Sequence, residues 1–238
     1  MHNLDWRDMH NQWQVQVHYL GQEKNPLLVI DQFATAPEQL IAEACNAPGF
    51  SAQASDFYPG LRKPVDPLYA QQSLALVAPL VKQHFLIAEP SRAELSLCAF
   101  SLTTTPADKL RPIQAVPHID TPDPLQFAMV HYLCEEQFGG TSFYRHRSSG
   151  YETITEPRMA DYFKTVKQEL MAQNRREFDY INGDTELFQR IGQVPVKFNR
   201  CIVYRSNLLH SGDINPTLGL SANPREGRLT INSFFRFR

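Results

Sequence analysis

The 238-residue chain lacks most of the features that assign a protein quickly. Its four cysteines, Cys45, Cys98, Cys134 and Cys201, lie 53, 36 and 67 residues apart with no CxxC pair, so neither a zinc cluster nor a disulfide framework is indicated. Positive charge is not in excess: 23 Lys and Arg face 25 Asp and Glu, a formal net charge of -2, and the basic footprint of a nucleic-acid binder is missing. The longest strongly apolar run, Leu74 to Val81, is interrupted by Pro79 and falls far short of the ~20 residues that cross a bilayer. The opening Met1-His2-Asn3-Leu4-Asp5-Trp6 has no basic stretch followed by an apolar one, which predicts no cleaved secretion signal. These absences lead to the expectation of a soluble, cytoplasmic protein with neither nucleic acid nor membrane as partner. Glycine is scarcer than proline, 11 against 17, and so many prolines point to turns and sheet edges. Exposed edge strands would allow a homodimer, but the sequence does not fix the oligomeric state.

The pattern that is present is mostly that of strands. Trp13 to Leu20 alternates, with Trp13, Val15, Val17 and Tyr19 on one face, and predicts a half-buried antiparallel strand. Leu27 to Phe33 predicts a second strand. A helix is expected from Pro37 to just before Pro48, and another over Asp66 to Leu86, broken or kinked at Pro79. From Arg92 onward, Glu94–Leu102, Gln126–Cys134, Thr141–Arg145, Val196–Arg205 and Arg228–Phe237 all suit strands, and one helical insertion falls near Arg158 to Asn174. The fold class is therefore mainly β with flanking helices, α+β. No flexible linker divides the chain, so residues 1–238 are expected to form one domain: an α/β flank over 1–90, and a sandwich or barrel over 91–238 with an insertion about 150–195.

Candidate chemistry begins at His118-Ile119-Asp120. Side chains at i and i+2 of an extended segment point the same way, so one imidazole and one carboxylate can converge. They supply two of the three ligands of a 2-His-1-carboxylate site for ferrous iron. The tripeptide alone decides nothing, because 8 His and 12 Asp in 238 residues give about 0.4 such matches by chance. His210 follows ninety residues after Asp120, in Leu208-Leu209-His210-Ser211-Gly212, at a strand end before a turn. Further on, Arg228, Thr230 and Asn232 share one face of the last strand, and such a face suits a dicarboxylate held by a guanidinium.

The ordered set His118-x-Asp120, His131-Tyr132-Leu133, Gly139-Gly140-Thr141-Ser142-Phe143, His210-Ser211-Gly212 and Gly227-Arg228 resembles the 2-oxoglutarate- and Fe(II)-dependent dioxygenases, most of all their prolyl-hydroxylase-like branch. The resemblance spans about residues 94–237. It implies a double-stranded β-helix, a jelly-roll core of the cupin type. It also implies Fe(II) and 2-oxoglutarate as cofactors, with His118, Asp120 and His210 as catalytic metal ligands. Arg228 would anchor the distal carboxylate of the co-substrate, and Tyr132 would hydrogen-bond to it beside Thr230 and Asn232. The implied activity is hydroxylation of a C–H bond in a small molecule, an amino acid or a peptide, with release of succinate and CO2. Asp120 disfavours halogenation, since related halogenases carry a small residue in its place.

Two departures from the family pattern stand out. Phe100 occupies the stretch where many members have a tyrosine, and the spacing from His210 to Arg228 is long enough to make Arg225 a rival anchor. The alternatives are a cupin-like protein that binds a metal or ligand without turnover, and an Fe(II) oxidase that does not use 2-oxoglutarate. Tyr132 reads equally as a packed core residue. His131 reads as a satisfied core histidine and His146 as part of a solvated basic strand end. The stretch 211–227, between the distal ligand and the anchor, is expected to be a mobile lid, and the 150–195 insertion is a second candidate for substrate choice.

Overall fold

The computed structural model describes residues 13–52, 58–173, 179–215, 217–218 and 220–238. The opening hexapeptide, His2, His10, Pro216 and Gly219 lie outside these residues. Among the described residues, ten strands and three α-helices follow the order β1 (Gln14–Leu20), β2 (Asn25–Asp31), α1 (Pro37–Cys45), β3 (Gly60–Pro64), α2 (Pro67–His84), β4 (Ala93–Thr103), β5 (Gln126–Tyr132), β6 (Thr141–His146), α3 (Glu156–Ala172), β7 (Phe188–Val194), β8 (Arg200–Arg205), β9 (His210–Gly212) and β10 (Leu229–Phe237). The chain is mainly β-sheet with helices, an α+β protein. No helix of the described residues is long and apolar enough to cross a membrane.

The strands form two antiparallel sheets, a large one ordered β1-β2-β8-β5-β10-β4-β3 and a small one ordered β7-β6-β9. Alternation along each central strand sends its side chains into two different layers. In β8, Cys201 and Val203 join the helix-side core, whereas Ile202 and Tyr204 face the small sheet. On the helix side, Leu40 and Ala44 of α1 and Tyr69, Val77 and Val81 of α2 cover Phe100, Phe127, Met129 and Ile231. A third layer, Tyr162 and Val166 of α3, packs behind the small sheet against Tyr144, Phe188 and Leu209.

Two helix ends are capped by side chains, one local and one from a neighbouring strand. The Asp66 carboxylate accepts from the Leu68 N–H at the start of α2. The buried Lys63 ammonium donates to the Glu43 and Asn46 carbonyls at 2.6 Å and to Ala44 O at 3.3 Å, placing a cation at the negative end of α1.

A buried acid ties the N-terminal hairpin to the small-sheet side. Glu152 is fully buried and accepts from Gln22 N at 2.9 Å, Glu23 N at 3.0 Å and the Arg145 guanidinium. Gly21, at φ +65°, is required there, because a Cβ would stand 2.2 Å from a Glu152 carboxylate oxygen.

The fold differs from the sequence expectations in several places. Strand β1 forms, but as the outer edge of the large sheet, and Val15 (39%) and Tyr19 (61%) are exposed where a half-buried strand was expected. Helix α2 runs unbroken through Pro79, which sits on its exposed face away from the packed stripe. Strands β3 and β7 were not anticipated, each being short or weakly patterned, and His210, expected at a strand end before a turn, instead opens the three-residue β9. The expected insertion therefore contains a sheet strand, β7, that pairs with β6. Nor do Ser211 and Gly212 belong to a loop, since both lie in β9.

Candidate metal centre and its cavity

His118 and Asp120 sit in the connection between β4 and β5, outside any continuous strand. Prolines at 106, 112, 117, 122 and 124 remove amide donors there, so only an isolated bridge forms. That bridge is to His210: His118 N donates to His210 O at 2.9 Å, and His210 N donates to His118 O at 3.0 Å. Asp120 N donates to Ser206 O at 2.9 Å, past the end of β8. Backbone bonds thus fix all three residues to the small sheet and to the turn after β8.

The side chains converge. One donor atom from each of His118, Asp120 and His210 lies within 4.8 Å of the others. The two imidazole centroids are 4.4 Å apart, and His210 Nε2 is 3.7 Å from Asp120 Oδ2. His210 Nδ1 lies 2.8 Å from Leu208 O, so it carries the proton and donates, which leaves the Nε2 lone pair facing Asp120. His118 is exposed on its cavity side; desolvation by the surrounding protein, reinforced by neighbouring His210 and opposed by Asp120, lowers its pKa to about 4. Burial lowers His210 to about 4 as well. Both imidazoles are therefore neutral near pH 7 with lone pairs available, and an N2O donor set of this kind fits a divalent iron.

The three donors line a cavity of about 380 Å³ between the two sheets, a size usual for small-molecule sites. The large sheet supplies the facing wall. Arg228, just before β10, is 5% exposed; its Nε donates to Gly139 O at 3.1 Å and its Nη2 to Gly140 O at 2.8 Å. Among the described residues no carboxylate pairs with it. Asn232 also lines the cavity, and the buried Thr230 hydroxyl, 2.9 Å from Asn232 Oδ1, donates to it. Tyr132 is fully buried behind the wall: its hydroxyl is 2.7 Å from Thr141 Oγ1, and Arg228 stands over its ring at 5.7 Å. Thr141, rather than Tyr132, reaches the cavity surface. Arg225 is exposed and borders a separate depression beside Phe198 and Glu135.

Among the lining residues that sequence reasoning missed are Tyr58, Arg62, Tyr180 and Tyr204. Arg62 comes from the unanticipated β3, where it donates to Ser101 Oγ at 3.1 Å and stacks on Tyr58. Tyr180, from the stretch after α3, donates to Thr105 O at 2.7 Å and packs with Leu110 and Ile214, so three connections meet at the cavity mouth. Tyr204 alone had a usable signal, because it alternates in phase with Ile202 on a strand that was recognised.

Two other histidines, His131 and His146, are structural. His131 is fully buried; Nε2 donates to Asn199 Oδ1 at 3.0 Å, and Nδ1 accepts from the Tyr69 hydroxyl at 2.8 Å. His146 is also fully buried, between Ser149 at 2.8 Å and Glu169 at 2.7 Å, which corrects the expectation of a solvated strand end. Its ring packs under α3, against Tyr162 and Phe188.

Comparison with known proteins adds a family and a set of distant structural likenesses. The chain is similar to the non-heme alpha ketoglutarate dependent epimerase SnoN from nogalamycin biosynthesis, at 15% identity and a TM-score of 0.49, over 90% of this chain and 78% of that one. It is similar to HygX from Streptomyces hygroscopicus, crystallised with nickel, 2-oxoglutarate and hygromycin B, at 13% identity and a TM-score of 0.46, over 92% and 87% of the two chains. For AviO1 from Streptomyces viridochromogenes Tue57 the identity is 13% and the TM-score 0.43, over 99% and 96%. No curated protein matches the chain. A family model described as a family of unknown function, DUF6445, matches residues 11–235, and the chain belongs to that family.

Proposed function

We propose that this protein is a non-haem, Fe(II)- and 2-oxoglutarate-dependent oxygenase with a jelly-roll core, which hydroxylates a C–H bond of a small molecule or an amino-acid side chain. One observation carries the reading: two neutral imidazoles and a carboxylate converge on one wall of a cavity whose facing wall holds a buried guanidinium with no carboxylate partner among the described residues. A metal with open positions on one side and a cation on the other is what a chelating dicarboxylate needs.

In this reading His118, Asp120 and His210 hold ferrous iron, which with 2-oxoglutarate and O2 supplies the oxidising power, the co-substrate leaving as succinate and CO2. The protein binds, orients and excludes water. Arg228 is the anchor for the distal carboxylate, its orientation set by the Gly139 and Gly140 carbonyls. Asn232, oriented by Thr230, lies beside it, and Tyr132 acts through Thr141. The Tyr180 contact to Thr105 narrows the mouth and favours a compact substrate. Strands β1 to β3 complete the same sheet as β4, β5, β8 and β10, which supports a single working domain.

The test is an anaerobic titration of the Fe(II)-loaded protein with 2-oxoglutarate. The expected result is a weak visible charge-transfer band that disappears in His118→Ala. Absence of the band in the wild type, or its persistence in that variant, refutes the assignment. A band without succinate formation on admitting O2 and candidate substrates indicates binding without turnover. Substrate oxidation without 2-oxoglutarate indicates an oxidase.

A further inference from the structure

The metal donors and the anchor leave one cavity group without a task. Three tyrosines line the cavity. Tyr180 is committed to Thr105 O, and the Tyr58 hydroxyl lies 3.1 Å from Thr103 Oγ1. Tyr204 differs. The residue is 2% exposed, it lines the cavity, and among the described residues its hydroxyl has no hydrogen-bond partner. Nor is that hydroxyl sealed in, as the orphaned Ser142 and Tyr144 hydroxyls are. A buried hydroxyl that keeps its donor for cavity space is costly in the empty protein and becomes useful when a ligand arrives.

The ring is held rigidly. It stands edge-on to His210 at 4.8 Å and to Phe143 at 5.0 Å, and its strand pairs Tyr204 with Ala128 of β5. The charges around the hydroxyl agree with this placement: burial and Asp120 raise its pKa well above the usual phenol range, while Arg228 opposes that rise. The phenol therefore feels the metal-side carboxylate and the anchor-side guanidinium together.

We propose that Tyr204 is a ligand-contacting residue of this site, its hydroxyl donating to a carboxylate or keto oxygen of the dicarboxylate held between the His118–Asp120–His210 donors and Arg228. Its ring buttresses His210. The inference rests on the oxygenase reading for the identity of the ligand, and it adds a donor that the sequence motifs did not contain.

Tyr204→Phe removes one oxygen and keeps the ring. Calorimetric titration of the Zn(II)-loaded, non-turnover protein with 2-oxoglutarate should show binding about tenfold weaker or more, the loss expected for one hydrogen bond to a charged group. Metal affinity and melting temperature should be unchanged, and in the Fe(II) protein the chelate band should shift. Tyr204→Leu, which also removes the ring, should additionally weaken metal binding through His210. Tyr144→Phe, behind the small sheet and outside the cavity, should leave the 2-oxoglutarate affinity at its wild-type value. Equal affinity and an identical band in Tyr204→Phe overturn this proposal alone. A wild type that takes the metal but not 2-oxoglutarate overturns the oxygenase reading and the Tyr204 contact together.

Discussion

Replacing Arg228 by alanine should weaken 2-oxoglutarate binding by about two orders of magnitude. The guanidinium is buried on the wall facing the metal donors, and two of its N–H groups are spent on Gly139 O and Gly140 O. In the proposed function its remaining N–H groups serve the ligand. A hydrogen bond to a charged partner contributes about 1.5–3 kcal/mol, so a two-pronged contact to a carboxylate gives about 3 kcal/mol after desolvation, or ~100-fold in Kd at 1.4 kcal/mol per tenfold. Stability should suffer less than the loss of two bonds suggests. Gly140 O also accepts from Asp213 N at 3.0 Å, so only Gly139 O loses its donor, at about 1–3 kcal/mol. Arg228→Lys keeps the charge but not the fork and should fall between alanine and wild type. Arg225→Ala should change Kd by less than about twofold, because that exposed side chain acts only through screened charge. The assay is titration of the anaerobic Fe(II) chelate band, with thermal melting to verify folding. A folded Arg228→Ala protein with wild-type affinity, above all if Arg225→Ala has lost it, would refute the reasoning.

Three predictions concern stability. Gly21→Ala should cost about 2 kcal/mol or more in urea unfolding, from the left-handed backbone and the collision with Glu152; a change below about 0.5 kcal/mol would contradict the clamp. Lys63→Met should cost about 1–3 kcal/mol and speed hydrogen exchange selectively in α1, whose terminal carbonyls lose their cation; unaltered exchange would count against it. His131, held to about 4 by burial against ~6.5 when unfolded, takes up its proton only on unfolding between these values. Its contribution is therefore complete above pH ~6.5 and is lost as pH falls toward 4, at up to ~1.4 kcal/mol per pH unit. His131→Gln should reduce the pH slope of unfolding free energy in that window by about one proton, and an unchanged slope would remove His131 as its source.

The sequence disclosed the parts of this molecule that alternate strongly. Central strands β4, β5, β8 and β10 are rich in Val, Ile, Phe and Leu on at least one face, and their positions were legible to within a few residues. The clustering of His118, Asp120 and His210 could be anticipated because spacing and order are carried by the chain itself. What could not be read depends on distant partners. Strand β3 exists because Gly60 to Pro64 finds the free edge of β4, and with it Arg62 reaches the cavity. Proline at 79 is harmless because tertiary packing lies on the opposite side of α2. A helix can lose one solvent-side hydrogen bond when its other face is well buried. The fate of His146 was hidden for the same reason: the basic look of Tyr144-Arg145-His146-Arg147 gives no sign that Glu169, twenty-three residues later, covers the imidazole.

The mutual backbone bonds between His118 and His210 carry a consequence for how the family can vary in length. The pair behaves as a single rung of a ladder, so the separation of the two candidate ligands is set by which residue faces which, not by the ninety or so residues between them. Insertions and deletions in the connections around α3 should therefore leave the donor geometry intact, whatever their size. A shift of one position in the short segment carrying either histidine is different in kind, because neighbouring side chains alternate between the two surfaces of the sheet. Such a slip would turn one imidazole away from the cavity and leave two of the three candidate donors together. Tolerance at this centre is thus governed by parity rather than by distance along the chain.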